Sequence, residues 1–272
     1  MTGGAAPALT RPLLRLERVT MRFGGLSAVT ELDLDVEPGA LLGLIGPNGA
    51  GKTTVFNVVT GVYPPTAGRV VFDEQSIGGR APHEIARLGV ARTFQSSRLF
   101  TSRSCRDNVA AAQHCRTGAR LLDSLCRTPR GERAERGARD EARGLLEVFG
   151  LSEWHDVRAS DLPYGQQRRL EIARALAGGP KLLLLDEPAA GLNPQETEAL
   201  MRLIEDLLPR FGVTVLLIEH DMRVVMGICR RIVVLDHGVK IAEGTPAEIR
   251  ADARVIEAYL GEGPPAARAG AR

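Results

Sequence analysis

The stretch ALLGLIGPNGAGKTT, residues 40 to 54, constrains the fold more than any other part of this chain. It opens on a continuous apolar run, the pattern of a strand buried on both faces. Gly46 to Thr53 then fit G-x-x-x-x-G-K-[ST], and a helical pattern follows at once. Strand, glycine-rich loop and helix in that order make a phosphate cradle. Glycines let backbone N–H groups turn inward around phosphate oxygens, and the helix start adds the positive end of its dipole. The candidate phosphate site is therefore Gly46, Pro47, Asn48, Gly49, Ala50, Gly51, Lys52, Thr53 and Thr54. Lys52 reaches the terminal phosphates, and the Thr53 hydroxyl is placed to hold Mg²⁺.

Such a loop needs an acidic partner to hold the metal and polarise water, and KLLLLDEP supplies one. Asp186 closes an apolar strand and Glu187 follows it. At the carboxyl end of its strand Asp186 binds Mg²⁺ directly or through water, which leaves Glu187 to polarise an attacking water. From the residues alone, a carboxylate pair capping the next helix stays open as the plain alternative. The phosphate loop and this pair lie far apart along the chain, and no Asn-Lys-x-Asp guanine motif occurs. Something sizeable is inserted between the two halves of the site.

The flanking pattern is α/β. LLRLERVTMRF and ELDLDV alternate as half-buried strands do, which predicts an antiparallel pair ahead of the phosphate loop. RVVFD and VARTFQ read as strands, with the short helix PHEIARLG between them. From about residue 96 to 164 the strand signals vanish. DNVAAAQHCR and RGERAERGARDEARGLLEVFG have helical composition there, with Glu132 and Arg136, and Glu135 and Arg139, spaced for i,i+4 pairing. This predicts an inserted helical subdomain with a solvated, mixed-charge face. The α/β rhythm resumes with strands in KLLLLDEP, VTVLLIEH, RIVVLD and GVKIAEG and helices in NPQETEALMRLIEDLL and HDMRVVMGIC. RVIEAYLG is a last amphipathic piece. Residues 1–12, rich in Gly, Ala and Pro, read as a flexible arm of a cytoplasmic protein, and 261–272 as a disordered tail.

Composition mainly excludes. A chain of 272 residues, 44% hydrophobic, has room for one large α/β domain with a smaller subdomain. Thirty-five basic against 33 acidic residues, a net charge of +2, mark no nucleic-acid binder. No apolar run approaches the roughly 18 residues of a membrane span. Cys105, Cys115, Cys126 and Cys229 contain no C-x-x-C pair and read as reduced thiols. His114 beside Cys115 lacks a second close pair to complete a metal site.

LPYGQQRRLEIARAL, residues 162 to 176, belongs to neither half of the site. A turn-like Leu-Pro-Tyr-Gly opens a helix whose first turn carries Gln and Arg instead of acidic caps. The backbone of Tyr164, Gly165 and Gln166 at such a helix start is an anion site, with Gly165 allowing close approach. Acidic caps would repel the anion.

Taken in order, Phe23 ahead of the first glycines, the phosphate loop, Gln95 after a strand, LPYGQ, LLLLDEP, AAGLN and His220 at a strand end form a set. That set resembles the ATP-binding subunits of ABC transporters from about Leu13 to Gly261. The resemblance implies a RecA-like P-loop NTPase core with an antiparallel β subdomain and an inserted α-helical subdomain, together spanning residues 13–260. It implies ATP and Mg²⁺ as ligands, each ATP lying between two subunits arranged head to tail. Phe23 would stack on adenine. Gln95 would sense the metal and water, and His220 would bond the γ-phosphate and hold the water of Glu187. Tyr164, Gly165 and Gln166 would meet the γ-phosphate held by another subunit's phosphate loop. The implied catalytic residues are thus Glu187, His220 and Gln95, and the metal-facing ones Thr53, Gln95 and Asp186. The plainer alternatives are Phe23 as core, Gln95 as an ordinary polar strand end, and His220 as a satisfied helix N-terminal side chain.

The wording within the motifs is narrower. RFGGLSAV, RTFQSSRLF, YGQQRRLEIARAL, DEPAAGLNP and IEHDMRVVM, with the closing IAEGTPAEI and AYLG, are similar to the ATPases of high-affinity branched-chain amino acid importers. That resemblance implies a peripheral ATPase on the cytoplasmic face of the cell membrane. It would work with two membrane permeases and a second ATPase subunit, identical or paralogous, and indirectly with an external solute-binding protein. No nucleic acid is implied. Related cassettes serve urea, amides or short peptides. Soluble ABC ATPases carry two cassettes or a long coiled-coil insertion, whereas this chain has one cassette and a modest insert. Two positions and one short stretch depart from the pattern. Pro163 stands where the superfamily usually has Ser, so backbone donors carry more of the γ-phosphate contact. Asn193 stands where an Asp is usual, which alters communication between the two sites through that loop. SCRDN, residues 104–108, is less apolar than usual on the permease-facing surface.

Overall fold

The computed structural model describes residues 11–95, 98–117 and 129–260. Most of the expected N-terminal arm, the whole expected tail and Cys126 lie outside the described residues, as do the side chains of His114, Cys115 and Glu132.

Strands β1 (Leu14–Phe23) and β2 (Leu26–Val36) form the expected antiparallel pair, tightly joined at residues 24 and 25. β3 (Leu41–Ile45) leads into the phosphate loop and helix α1 (Lys52–Val59). β4 (Ala67–Phe72) returns to pair with β1, and a two-residue strand β5 (Gln75–Ser76) completes a sheet ordered β2-β1-β4-β5. Helix α2 (Pro82–Leu88) precedes β6 (Val90–Arg92). The expected strand through Gln95 is shorter than its composition suggests. After the Thr93 N–H donates to Leu184 O at 2.9 Å the ladder ends, which frees Phe94 and Gln95 from the sheet.

The insert comprises α3 (Cys105–Thr117) and α4 (Pro129–Val148), followed by 3₁₀ turns at Ser152–Trp154 and Ala159–Asp161. Its neck is closed by a bridge between Ser104 and Arg158 and by the Cys105 N–H donating to Val157 O at 2.9 Å. Within SCRDN, Asn108 has a structural role. Fully buried, it accepts from Phe100 N–H at 2.8 Å and donates to the carbonyls of Phe100 and Ser104 at 3.0 and 2.9 Å. A buried amide so satisfied fixes the turn entering α3. The Glu135–Arg139 pair forms at 2.9 Å.

Beyond the insert come α5 (Tyr164–Ala177), β7 (Leu182–Asp186), α6 (Pro194–Phe211), β8 (Thr214–Ile218), α7 (Met222–Ile228), β9 (Arg231–Asp236) and β10 (Val239–Gly244). Helices α8 (Pro246–Ala251) and α9 (Ala253–Leu260) follow. The second sheet is ordered β10-β9-β3-β8-β7-β6, parallel except for β10 at its edge. β3, β7 and β8 are buried at every position, which is why they read as continuous apolar runs. Alternate residues serve two cores. Leu42, Leu44, Leu182, Leu184, Leu216 and Ile218 face α1 and the antiparallel sheet. Leu41, Ile45, Leu183, Leu185, Val215 and Leu217 face the helices. Each fully buried leucine here contributes about 1.5–3 kcal/mol. The second core also holds Val109, Leu146, Phe149 and Leu170, so the helical insert shares its packing with the sheet.

Two helix starts differ from expectation. α7 begins at Met222 because the Asp221 side chain caps it by accepting from Arg223 N–H, and this leaves His220 on the turn before the helix. α8, not anticipated as a separate helix, begins with a capping box between Thr245 and Glu248. Among the described residues no helix is long and apolar enough to cross a membrane.

Candidate active site

The phosphate loop leaves the end of β3 in a conformation that requires its glycines. Gly46 has φ +151°, and a Cβ there would lie 2.0 Å from Leu235 O; Gly51 has φ +99°, and a Cβ would lie 2.4 Å from Ala28 O. Larger residues at either place would displace neighbouring backbone. The buried Lys52 curls back along the loop, its Nζ donating to the carbonyls of Gly46 at 2.5 Å and Pro47 at 2.8 Å. No acidic residue occupies the first turn of α1. The loop thus combines a helix start and a buried ammonium, elements of an anion site.

Asp186, at the end of β7, is buried and paired. Arg92 Nη2 donates to its Oδ2 at 2.8 Å, both side chains being 6% exposed. Arg92 Nη1 also donates to Asn57 Oδ1 at 2.7 Å, and the guanidinium lies 5.3 Å from the Phe56 ring centre and 5.0 Å from that of Phe94. This arginine, which motif spacing does not single out, ties the phosphate-loop helix to the carboxylate. Thr53 hydroxyl and Asp186 carboxylate are hard oxygen donors, few in number, as Mg²⁺ prefers. Among the described residues no cluster of three or more His, Cys, Asp or Glu exists to suit another metal.

Gln95, Glu187 and His220, far apart in sequence, converge. Gln95 Nε2 donates to Glu187 Oε2 at 3.1 Å, and His220 Nδ1 lies 3.8 Å from the same oxygen. Glu187 has φ +48°, a conformation that costs a residue with a Cβ about 1–2 kcal/mol. It is held there by its N–H donating to Ile218 O at 2.9 Å and its carbonyl accepting from Ala190 N–H at 3.1 Å. The strained backbone places a partly exposed carboxylate beside an amide and an imidazole, a suitable arrangement for orienting water. It is not a helix cap: the following helix α6 is capped by Asn193, which accepts from Glu196 N–H at 2.9 Å while Glu196 Oε2 accepts from Asn193 N–H at 3.1 Å. The departure at Asn193 is therefore accommodated by a complete capping box.

Behind His220 lies Glu219, 1% exposed and not anticipated from sequence. Its Oε1 accepts from Ala189 N–H at 2.8 Å and its Oε2 from His220 N–H at 3.3 Å. Burial pushes its carboxyl above the ordinary 4.5, since hydrogen bonds and the neighbouring His220 only partly oppose desolvation. The folded chain binds this proton more tightly than the unfolded chain does. The group therefore favours folding fully below pH 4.5, and that advantage is lost as pH rises through the raised value. Glu219→Gln keeps an acceptor for Ala189 and abolishes the ionisation. Urea titrations are expected to show the substituted chain gaining stability relative to wild type as pH rises above 4.5 through the raised value, and a difference that stays constant across the whole pH range in which the chain folds would refute a raised Glu219.

Phe23 ends β1 at 42% exposure, outside the core, with its ring edge-on to Tyr63 at 5.2 Å. Two exposed aromatic rings there suit a planar apolar ligand. At the start of α5 there is no acidic residue in the first turn, as expected, but the helix start is not free of acid. A Cβ on Gly165 would lie 2.9 Å from Glu196 Oε1, so a larger residue there would have to push that carboxylate aside. Pro163 occupies the N-cap position without a side-chain bond, and Gln166 Oε1 is shielded from solvent with no hydrogen-bond partner in the structure. Tyr164 donates from Oη to Ala190 O at 3.0 Å, while Arg168 donates to that Oη from Nε at 3.0 Å and Nη2 at 2.6 Å. Burial, the largest influence on Arg168, opposes its charge, yet hydrogen bonding and charge from Glu171 and Tyr164 leave its guanidinium above its ordinary value. Cys105 and Cys229 are buried free thiols, pushed up to about 11 and about 12 mainly by burial, and are inert at neutral pH.

With this geometry in view, comparison with known proteins is decisive. A sequence model of the family described as "ABC transporter" matches residues 29–190. The chain belongs to the ABC transporter family. It is an ATPase of that family. A second model, described as "Branched-chain amino acid ATP-binding cassette transporter", matches residues 239–265. The chain is similar to the high-affinity branched-chain amino acid transport ATP-binding protein BraF of Pseudomonas aeruginosa, 50% identical over 93% of this chain and 100% of that one. LivG of Escherichia coli, which bears the same description, is 49% identical over the same shares. Among solved structures, the ADP conformation of an ATP-binding cassette of an ABC transporter superposes with a TM-score of 0.79. It is 31% identical and covers 93% of this chain and 100% of its own. The RecA-like α/β core with a mixed sheet and helical subdomain is thus the fold of this family.

Proposed function

We propose that this ABC ATPase energises import of branched-chain amino acids, acting as a peripheral subunit on the cytoplasmic face of the cell membrane. The observation that carries the substrate class is the match of residues 239–265 to the branched-chain amino acid cassette model, on the segment containing the closing AYLG. Two membrane permeases, a second ATPase subunit and, indirectly, an external solute-binding protein are its partners in this reading. The near-balanced net charge of +2 gives no reason to add nucleic acid.

The residues fit ATP with Mg²⁺. Bound metal would neutralise charge developing on the terminal phosphate oxygens. Gly46 to Thr54 and the ammonium of Lys52 would hold the phosphates, and Thr53, Asp186 and Gln95 would hold the metal. Phe23, backed by Tyr63, packs on the adenine ring. Glu187 polarises the attacking water, with Gln95 and His220 fixing its carboxylate and, for His220, contacting the γ-phosphate. The backbone of Tyr164, Gly165 and Gln166 offers donors to the γ-phosphate on a second subunit. Support for that sharing is the helix start of α5, exposed at Tyr164; its own first turn lacks acid, and the carboxylate beside it, Glu196, is on a flexible side chain that an anion can displace. The reading is tested by deleting the gene and measuring uptake of labelled leucine, isoleucine, valine and urea. Loss of uptake of the three branched-chain amino acids with urea unaffected is expected. Normal uptake of all three overturns the substrate class, and selective loss of urea uptake replaces it.

A further inference from the structure

Hydrogen bonds join five residues from three segments into a closed ring. Gln95 Nε2 donates to Glu187 Oε2 at 3.1 Å, while the Gln95 carbonyl accepts from Arg168 Nη2 at 3.0 Å. Arg168 donates to Tyr164 Oη, Tyr164 Oη donates to Ala190 O at 3.0 Å, and Ala190 N–H returns to Glu187 O at 3.1 Å. The ring links the Gln95 segment, the start of α5 and the turn after Glu187.

Packing does not explain why Arg168 lies there. Its side chain is 7% exposed inside a helix, where an apolar residue of similar volume would avoid desolvating a guanidinium. The charge is retained with a dedicated partner, Glu171, at 2.9 Å. With that partner engaged through Nη1, the remaining N–H groups are directed to Tyr164 Oη and the Gln95 carbonyl. A lysine has one donor centre and cannot span these acceptors. Tyr164 is equally committed: its hydroxyl makes three bonds, and the turn closes on its ring where a Cβ at Gly191 would come 3.0 Å from Cε1.

We propose that Tyr164 and Arg168 are positioning residues that hold the Glu187–Gln95 pair in register with the helix start offered to the second nucleotide. Through them, the water-polarising carboxylate of one site and the anion-binding backbone of the other respond as one unit. The inference rests on the proposed roles of Glu187 and of the α5 start. Neither side chain needs to touch ATP, so the effect falls on turnover and not on nucleotide affinity.

The test uses the full chain with Tyr164→Phe, Arg168→Lys and both together, with turnover expressed per bound ATP so that misfolded protein does not count. A misplaced catalytic group costs on the order of tenfold or more in rate, so each single substitution is expected to lower kcat by roughly tenfold and leave ATP affinity within about twofold. The double substitution is expected to be no slower than the slower single one, because groups acting as a unit are non-additive. Wild-type kcat in Tyr164→Phe, losses that multiply in the double variant, or a loss carried wholly by ATP affinity would each overturn the proposal. Retained turnover in Glu187→Gln would instead remove the site assignment beneath it. An inactive Glu187→Gln beside a fully active Tyr164→Phe would remove this inference alone.

Discussion

Glu187→Gln is expected to abolish steady-state ATP hydrolysis while leaving ATP affinity intact. The carboxylate sits at the end of β7, beside Gln95 Nε2 at 3.1 Å and His220 Nδ1 at 3.8 Å. An amide of the same shape preserves the packing and cannot accept a proton from water. General-base assistance contributes roughly 10²- to 10⁴-fold, so a fall of at least 100-fold in kcat is expected. The backbone strain at φ +48° persists in either variant, since it is imposed by the Ile218 and Ala190 hydrogen bonds. Stopped-turnover assays with radiolabelled ATP measure the rate, and equilibrium titration with a fluorescent ATP analogue measures the affinity. Undiminished turnover would remove Glu187 from its role.

Lys52→Ala is expected to fail at the earlier step. Its ammonium is buried in the loop and already hydrogen-bonded to the Gly46 and Pro47 carbonyls, so it is preorganised where phosphate charge would collect. Hydrogen bonds to charged groups are worth about 1.5–3 kcal/mol, which corresponds to a loss of roughly 10- to 150-fold in ATP affinity. Calorimetric titration of the two chains checks this directly. Unchanged affinity in Lys52→Ala would displace the phosphate-loop assignment. The two substitutions separate binding from chemistry, because one is expected to weaken affinity and the other turnover.

The fold was legible where burial leaves a signature in composition. β3, β7 and β8 are covered on both faces, so their runs are apolar without alternation, and the phosphate loop follows the first of them. The convergence of Gln95, Glu187 and His220 was legible only through the order of motifs, since no local spacing relates residues 92 positions apart. Arg92 was missed because its partner Asp186 is 94 positions away and an arginine at a strand end carries no distinguishing pattern. Arg168 was missed for a similar reason, being 73 positions from the Gln95 carbonyl and hidden among ordinary helical arginines. Glu219 reads as one more polar residue after a strand, and only its burial against Ala189 and His220 gives it a role. Tyr63 acquires meaning only once its ring lies edge-on to Phe23. The helix after His220 illustrates the same limit at a boundary: a side-chain cap at Asp221 moved its start by two residues, which leaves the histidine free of the helix.

The shared site is tested most directly by the molar mass of the Glu187→Gln chain in solution, measured by light scattering with saturating Mg·ATP and again with ADP. If two subunits enclose each nucleotide and Glu187 is needed to release them, the mass with ATP is twice that of the 29.2 kDa chain and returns to a single chain with ADP. A single-chain mass at ATP concentrations that fill the phosphate loop would contradict a nucleotide site completed by a second copy of this chain.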